Sequence, residues 1–389
     1  MKKRILFVIN TLNCGGAEKS LISLLSVFDY DRYDVELQMI SICGSLIEFV
    51  PPQVKVLPAI RYFDYCTSSF FSNDVTFAFA LARLKISLGI RTDKKLYDVQ
   101  VQWKYASPVI KPGEEEYDVA IALGQDTPTH YVAEKVKARK KLAFINGDYR
   151  KAGRNRDFDA PFYMKYDYVV SVSDLLSDII IEVFPEIKDR VRTVYDINNA
   201  ELIISMAELE NPFSDVHGKI KIVTVGRLAK TKGYDIAVEA AKTLRDKGVS
   251  FVWYFVGGGP EMTAIKESVK ANGLESIVFP VGEKENPYAY MKNADIYVQT
   301  SRREGYCLTL YEARVLNKPC VSTCFDVVYN QLIDGENGII TEMNGEAVAM
   351  GILKLIKSDE LRNHIIENVK KEKKGNVEEI EKLYELIEK

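Results

Sequence analysis

Two carboxylates spaced eight residues apart, Glu304 and Glu312, are the side chains of this chain best placed to do chemistry. They stand on either side of Gly305 and a predicted helix start, directly after the strand-like segment 295–300. Free N–H groups at a helix start, here 306–309, can receive phosphate oxygens, while carboxylates accept hydrogen bonds from sugar hydroxyls. The helical rise separates the two carboxylates by about 12 Å. This spacing predicts a site for a nucleotide-sugar, with one carboxylate on the ribose and the other on the transferred sugar.

A pair of cations, Arg227 and Lys232, follows the predicted strand 220–225. Arg227 offers a forked donor at the strand end, and Lys232 places a point charge at the next helix start. Both suit a diphosphate whose negative charge grows as it leaves. Ordinary surface ion pairing is the alternative explanation.

Glycine-rich turns supply further candidate donor-binding residues. Gly15 and Gly16 follow the first predicted strand and allow a phosphate or sugar to approach the backbone closely. They are not a dinucleotide-binding fingerprint, since the third glycine is absent. Gly258, in a later glycine run, and Val281, at a strand end that could bond a nucleobase through its main chain, are weaker candidates. Structural turns explain all four positions about as well.

Composition indicates an ordinary folded protein of two domains. The 389 residues are 47% apolar and 28% charged, with a net charge of -3 that indicates no nucleic-acid partner. Six cysteines and three histidines show neither disulfide nor metal-ligand spacing, which favours a reduced, cytoplasmic setting. No segment approaches the roughly 18 apolar residues of a membrane span.

Short apolar runs alternate with amphipathic stretches along the chain, which predicts βα units, parallel sheets and an α/β fold. The pattern breaks after residue 198 and restarts near residue 219. We therefore expect an acceptor-binding domain over 1–200, a linker over 201–218 and a donor-binding domain over 219–357. Helices over 358–389 either pack back on the first domain or form a solvated tail.

Taken in chain order, four motifs resemble those of the retaining glycosyltransferases of family four. The motifs are Gly-Gly-Ala-Glu at 15–18, Gly-Arg-Leu at 226–228 with Lys-Gly at 232–233, Val-Gly-Gly-Gly-Pro at 256–260, and Glu-x7-Glu at 304–312. The resemblance covers about residues 4–345. It implies a GT-B fold, with two Rossmann-like domains facing each other across an interdomain cleft.

The resemblance also implies roles for individual residues. Glu304, Arg227 and Lys232 form the catalytic set, with the two cations on the diphosphate and Glu304 on the hydroxyls of the transferred sugar. Glu312 then binds the ribose. Other donor contacts fall on Gly16, Gly226, Gly305, Tyr306, Cys307, Leu308 and Thr309. No cofactor and no divalent metal is expected, because the cationic side chains replace the metal's charge.

The acceptor side of the site is less clearly marked. Asn146 stands where many relatives have a histidine that contacts the transferred sugar, and it can hydrogen-bond but carries no charge. Asp126 and His130, after another predicted strand, are candidate acceptor contacts, with helix capping as the alternative role of Asp126.

Residues 61–104 interleave aromatic and basic side chains, including Phe70 and Phe71, in the half that binds acceptors in this family. This composition suits peripheral contact with an anionic membrane at its cytoplasmic face; an ordinary amphipathic helix over the sheet is the alternative. We expect a lipid-linked saccharide acceptor in cell-surface polysaccharide synthesis, with a UDP-sugar as donor. Two other functions stay open: a non-catalytic partner that binds a nucleotide-sugar or glycan, and a nucleotide-sugar epimerase.

Overall fold

The computed structural model describes residues 2–13, 15–67, 77–304 and 306–389. Phe70, Phe71 and Gly305 therefore lie outside the described residues. The chain divides into two compact units, which are considered one at a time. The first unit contains Met1–Asn198 and Asn376–Lys389, and the second contains Asn199–Gly375.

A parallel sheet forms the centre of the first unit. Among the described residues it has seven strands in the order β3-β2-β1-β4-β5-β6-β7. They are β1 (Lys3–Ile9), β2 (Tyr33–Met39), β3 (Lys55–Val56), β4 (Glu116–Leu123), β5 (Lys137–Ile145), β6 (Tyr168–Ser171) and β7 (Val191–Thr193). The central strands are continuous apolar runs, because helices cover both faces of such a sheet.

The helices of the first unit alternate with these strands. They are α1 (Gly16–Ser26), α2 (Arg61–Thr67), α3 (Phe77–Thr92), α4 (Asp98–Ala106), α5 (Thr127–Lys135), α6 (Arg156–Tyr163) and α7 (Asp174–Val183). Short 3₁₀ turns lie at Ser45–Phe49, Ser107–Val109, Tyr149–Lys151 and Pro185–Arg190. Asn155 and Ser173 cap the starts of α6 and α7 with their side chains, which fixes where those helices begin.

The second unit repeats this architecture. Its described strands form a six-stranded parallel sheet in the order β10-β9-β8-β11-β12-β13. They are β8 (Ile220–Val225), β9 (Phe251–Val256), β10 (Val278–Gly282), β11 (Ile296–Gln299), β12 (Cys320–Thr323) and β13 (Ile339–Thr341). The helices are α8 (Ala200–Ala207), α9 (Tyr234–Asp246), α10 (Met262–Ala271), α11 (Pro287–Asn293), α12 (Leu308–Val315), α13 (Gly345–Lys357) and α14 (Asp359–Lys371). Its 3₁₀ turns lie at Lys230–Lys232 and Val328–Asn330.

The unit boundaries differ from the predicted domains. Helix α8, in the predicted linker, belongs to the second unit, where the Asn286 amide donates to the Met206 carbonyl at 2.7 Å. Helix α14 also stays with the second unit. After a 3₁₀ turn at Val377–Glu379, the last helix, α15 (Ile380–Glu388), packs on the first unit, with the Tyr384 ring stacked on that of Tyr33. Apolar contacts distant in sequence set these boundaries, and such contacts leave no local sequence signal.

Candidate functional site

In each unit the strand order reverses direction at one point in the sheet. In the second unit this point lies between β8 and β11, whose following loops leave the sheet in opposite directions. Such a reversal opens a crevice at the carboxyl ends of the strands, where open α/β sheets bind ligands. The loops at this crevice are 226–233 after β8 and 300–307 after β11.

Close backbone packing joins these two loops. Gly233 has a positive φ of 63°, and a Cβ there would lie 2.1 Å from the Thr300 carbonyl oxygen. Only glycine fits this contact. The Thr300 hydroxyl donates to the Lys232 carbonyl at 3.0 Å, and the Arg302 N–H donates to the Thr231 carbonyl at 2.8 Å. The sequence Lys-Gly at 232–233 thus fixes Lys232 beside the loop after β11.

Lys232 and Glu304 meet at this junction. The ammonium Nζ lies 2.7 Å from Glu304 Oε1 and 2.9 Å from Oε2, so both carboxylate oxygens accept from it. The Ser301 hydroxyl and the Gln299 amide also donate to Oε1. The Glu304 side chain is only 9% exposed and that of Lys232 is 22% exposed. An anionic group entering here would meet a cation that is already fixed in place.

Helix α12 begins at Leu308, four residues after Glu304. Cys307, the residue before the helix, has a φ of 70°, and its carbonyl accepts the first helical bonds from Leu310 and Tyr311. The N–H groups of Leu308 and Thr309 come before the first intrahelical donors, so they are available to an anion. Burial and the nearby Glu304 carboxylate raise the pKa of the Cys307 thiol well above its ordinary value. The thiol therefore stays protonated and is not a nucleophile.

Glu312 lies one turn further along α12 and is 2% exposed. The Tyr288 hydroxyl donates to its Oε1 at 3.0 Å. In this arrangement protein encloses the Glu312 carboxylate, so it is not open to a ribose. The expected ribose contact stays a prediction.

The remaining predicted donor contacts lie around the end of β8. Arg227 is exposed, and its guanidinium takes part in none of the hydrogen bonds or ion pairs found among the described residues. The Gly226 carbonyl accepts from the Tyr234 hydroxyl at 2.8 Å, and the Gly258 carbonyl accepts from the Leu228 N–H at 2.8 Å. Val281 is partly buried within β10. Arg227 and Lys232 thus lie on one loop, and Lys232 is the one that contacts Glu304.

In the first unit, Gly15 and Gly16 lie at the start of α1. Gly15 is the residue before the helix and has an ordinary negative φ of -100°. A Cβ there would lie 2.3 Å from the Glu18 carboxylate, so the glycine gives room to that flexible side chain. Close packing against Glu18 thus explains this glycine, and a donor contact at Gly15 or Gly16 stays a prediction.

The predicted acceptor residue His130 is a core residue. It is 1% exposed, and its ring Nε2 lies 2.8 Å from Asp159 Oδ1, while the Tyr149 hydroxyl donates to Asp159 Oδ2 at 2.6 Å. Phe162 packs on the imidazole with a centroid separation of 4.4 Å. An acceptor contact by His130 is therefore wrong for this arrangement, because helix α6 covers the ring.

Asp126 and Asn146 lie at the ends of β4 and β5. Asp126 immediately precedes α5 but makes no side-chain capping bond, and its carboxylate instead accepts from Arg154. The predicted cap is therefore wrong in detail. Asn146 lines a small cavity of about 20 Å³ under α1, and its Oδ1 is buried without a partner among the described residues. A role of Asn146 in acceptor binding stays a prediction.

Several polar residues of these sites carried no clear sequence signal. Ser301 and Gln299 bond Glu304, and Arg154 neutralises Asp126 from a distant loop. Ser301 precedes Glu304 by three residues, a spacing that could have predicted its contact. A cavity of about 390 Å³ between α9 and α10 in the second unit includes neither Lys232 nor Glu304 in its lining.

The predicted absence of a metal stays a prediction. Within the described ranges, no group of three or more His, Cys, Asp or Glu side chains is arranged to hold a metal ion. Of the helices the structure describes, none has the length and apolar character needed to span a bilayer.

The sequence around this crevice matches a known protein family. Residues 206–372 match the family model described as "Glycosyl transferases group 1". The match spans most of the second unit. Lys232, Glu304 and the start of α12 all lie inside the matched range.

Curated relatives carry related names. The chain is 31% identical over 239 residues to an uncharacterized glycosyltransferase of Methanocaldococcus jannaschii, a match that covers 58% of this chain and 60% of that protein. It is 24% identical over 211 residues to the poly(ribitol-phosphate) alpha-N-acetylglucosaminyltransferase of Staphylococcus aureus, covering 53% and 42% of the two chains. The matched regions thus span less than two thirds of either relative.

Solved structures match over the whole chain. HepE of Anabaena in complex with UDP has a TM-score of 0.66 at 18% identity, with 100% of both chains covered. A mutant of S. aureus TarM, in complex with fondaparinux, alpha-GlcNAc-glycerol and UDP, has a TM-score of 0.67 at 15% identity, again with 100% of both chains covered. At these identities the likeness concerns the fold. The predicted α/β GT-B class with two Rossmann-like domains is confirmed.

Proposed function

We propose that this chain is a retaining glycosyltransferase that moves a sugar from a nucleotide-sugar to a saccharide acceptor. The observation that carries the proposal is the Lys232 and Glu304 pair, 2.7 Å apart at the reversal point of the second unit's sheet and inside the range that matches the glycosyl transferases group 1 model. A fixed cation next to a fixed carboxylate suits a ligand whose diphosphate adjoins a hydroxyl-rich sugar.

The residues take separate roles in this proposal. Lys232 and Arg227 bind the diphosphate, with Arg227 drawn in from solvent when the donor arrives. The N–H groups of Leu308 and Thr309 bind phosphate oxygens, and Glu304 accepts hydrogen bonds from the transferred sugar. Glu312 binds the ribose once its contact with Tyr288 is exchanged for a sugar hydroxyl.

A UDP-sugar is the proposed donor. Support comes from the solved neighbours, since HepE structures contain UDP or UDP-glucose and the TarM structure contains UDP. A thermal-shift screen of nucleotide-sugars tests this choice, because a ligand that binds only the folded protein raises its melting temperature. We expect UDP compounds to give the largest shift.

The proposed reaction proceeds on one face of the sugar. The leaving phosphate takes the proton of the acceptor hydroxyl, while the protein supplies position and positive charge. Because Arg227 and Lys232 supply that charge, we expect EDTA to leave the transfer rate unchanged. A rate that falls with EDTA and recovers with Mg²⁺ would contradict metal independence.

The test of the proposed function is donor turnover by the purified protein. We expect slow release of UDP from the preferred UDP-sugar in water, and proton NMR should show that the released sugar first appears with the donor's anomeric configuration. A non-catalytic binding partner would bind the donor without releasing UDP. An epimerase would change a ring stereocentre with no acceptor present.

The acceptor is proposed to be lipid-linked and used in cell-surface polysaccharide synthesis. Helix α3 supports this proposal because it exposes an apolar stripe at helical spacing, formed by Phe77, Leu81, Leu84 and Leu88, with Phe77 83% exposed. Its opposite face packs on α4, where Gly89 lies against Val101 and Tyr105. Arg83, Lys85 and Arg91 add positive charge to the same helix.

The residues of this region that are exposed to solvent differ from the aromatic residues singled out in the sequence. The aromatic side chains Tyr62, Tyr65, Phe79 and Trp103 are buried in the core of the first unit, as the amphipathic-helix alternative predicted. The stripe on α3 is mainly aliphatic. We propose that it inserts at an anionic bilayer surface, with the basic side chains next to the lipid head groups.

Liposome flotation tests the membrane proposal. We expect the protein to float with vesicles that contain anionic lipid, and Leu84→Glu with Leu88→Glu to abolish flotation. The matched control is Leu209→Glu, which changes a leucine that is 71% exposed in the second unit and should float normally. Equal flotation of the unaltered protein, the double variant and the Leu209 variant would show that α3 does not bind the membrane.

A further inference from the structure

We propose that two buried glutamines, Gln299 and Gln331, are positioning residues that hold the loop residues Glu304 and 306–309 in their donor-binding conformation. The inference rests on the proposed function and adds a specific division of labour to it. Gln331 positions the main chain that meets the diphosphate, and Gln299 positions the carboxylate that meets the sugar. Neither glutamine touches the ligand.

Backbone strain indicates that this loop must be held. Cys307 has a φ of 70°, in the left-handed region that residues with a Cβ rarely adopt. Among the described non-glycine residues, only Asn317 shares a positive φ. Such a conformation persists where surrounding contacts impose it, and it is common at ligand-binding loops.

Gln331 supplies the contacts at the middle of the loop. Its side chain is buried, and its Nε2 donates to the carbonyl of Tyr306 and, at 3.3 Å, to that of Cys307. Its Oε1 lies 3.5 Å from Arg314 Nη1, and Arg314 in turn bonds Glu372 at 2.6 Å. Because each peptide unit is planar, holding the Tyr306 and Cys307 carbonyls fixes the direction of the Cys307 and Leu308 N–H groups, which lead into the first turn of α12.

Gln299 joins the beginning of the loop to its end. Its Nε2 donates to Ser301 Oγ at 2.7 Å and to Glu304 Oε1 at 3.2 Å. Its Oε1 accepts from the Thr309 hydroxyl at 3.2 Å and from the Tyr297 hydroxyl. The Gln299 amide therefore makes four hydrogen bonds, and these fix the position of the Glu304 side chain relative to the first turn of α12.

These separate contacts predict separate defects. Gln331→Met should weaken UDP binding about tenfold, since the turn that orients the Leu308 and Thr309 N–H groups loses its brace. Gln299→Met should leave UDP affinity within about threefold of normal and lower kcat with the UDP-sugar about tenfold or more, since Glu304 loses a donor that orients it. UDP affinity by calorimetry and kcat with UDP-sugar separate the two effects.

A buried glutamine in the first unit gives the matched control. Gln38 also donates to two main-chain carbonyls, at 2.9 and 3.0 Å, and it lies far along the chain from this loop. We expect Gln38→Met to lower the melting temperature as much as Gln331→Met does, with unchanged UDP affinity and kcat. If Gln331→Met does not fold, Gln331→Asn removes the reach of the amide and should weaken UDP binding in the same way.

The proposal is overturned if the Gln331 variant binds UDP normally, or if Gln299→Met retains normal kcat. It is also overturned if both glutamine variants lose affinity and kcat in the same proportion, as general loosening of the fold would cause. Failure of the proposed function looks different. In that case the unaltered protein neither binds UDP nor turns over any UDP-sugar.

Discussion

The two units place polar side chains at the same position of the same fold and use them differently. In the first unit, Asp126 follows β4 at the reversal point and its charge is neutralised by Arg154, which comes from the loop after β5. In the second unit, Glu304 follows β11 at the reversal point and meets Lys232, while Arg227 nearby stays exposed. Among the described residues, Arg154 of the first unit is thus paired, whereas Arg227 of the second unit makes no hydrogen bond or ion pair.

This difference shows that a polar residue after a strand is not by itself a binding residue. His130 of α5 and Asp159 of α6 form a hydrogen-bonded pair that is buried between the two helices. Lys232 and Glu304 of the second unit form a similar pair, which lies at the carboxyl ends of β8 and β11 and remains partly accessible to solvent. The two pairs differ in exposure, since both side chains of the first are 1% exposed and Lys232 of the second is 22% exposed.

The largest effect is expected at the second crevice. Lys232→Ala and Glu304→Gln should each lower the rate of transfer by about 10²–10³-fold, because each removes a charge that acts on the reacting donor. Steady-state kinetics with the preferred UDP-sugar measures this loss, and circular dichroism checks the fold. Lys230→Ala removes a neighbouring exposed lysine and should retain full activity. Near-normal turnover by both site variants would contradict the assignment.

The matching change in the first unit should affect folding. His130→Ala is expected to lower the free energy of unfolding by about 3 kcal/mol, since it leaves a cavity and a buried Asp159 without this partner. Urea denaturation measures the loss. The rate of sugar transfer per folded molecule of this variant should equal that of the unaltered protein. A tenfold loss of turnover in a fully folded His130 variant would show that the first unit uses this pair in the reaction.

A pH-dependent effect is expected at Asp196 of the first unit. Burial raises the pKa of its carboxyl to about 6, and a hydrogen bond from Ser20 opposes this shift. The folded state therefore binds the proton more tightly than the unfolded state, so this group destabilises the protein increasingly as pH rises from about 4 to about 6. Asp196→Asn should be more stable than the unaltered protein at pH 8 by about 3 kcal/mol.

Below about pH 4 the advantage of Asp196→Asn should vanish, because the aspartic acid is then neutral in both states. Thermal unfolding at a series of pH values measures this difference. A stability gap that stays constant between pH 4 and pH 8 would show that the carboxyl is not shifted.

The smallest effect is expected at Arg227. Arg227→Ala should weaken UDP binding about fivefold at low salt, and less at high salt, because an exposed guanidinium is screened. The melting temperature should not change, since this side chain makes no described contact. Calorimetric titration with UDP at two salt concentrations measures both effects. Unchanged affinity at low salt would leave Lys232 as the cation that matters.

Much of the fold followed from local pattern. Apolar runs between turns predicted the strands of both sheets, because a parallel sheet buried on both faces needs continuous apolar residues. The residue pattern around Glu304 and Glu312 predicted a strand followed by a helix start, and β11 and α12 are present there. The sequence assigned Lys232 and Glu304 to one donor site, but their direct contact was not predicted.

Other features depend on contacts that local sequence does not encode. Burial of His130 depends on α6, which begins 26 residues later in the chain. The return of α15 to the first unit depends on Tyr384 reaching Tyr33. In the sequence, Gln299 and Gln331 look like ordinary polar residues. Only the folded chain shows that their amides contact Glu304 and residues 306–309.

The most direct test of the central claim is a crystal structure of the protein with an unhydrolysed UDP-sugar. We expect the diphosphate within hydrogen-bond distance of Lys232 Nζ and of the Leu308 and Thr309 N–H groups, with a Glu304 oxygen on a hydroxyl of the sugar. A nucleotide-sugar bound away from these groups, with the Lys232 and Glu304 pair unchanged, would contradict the account.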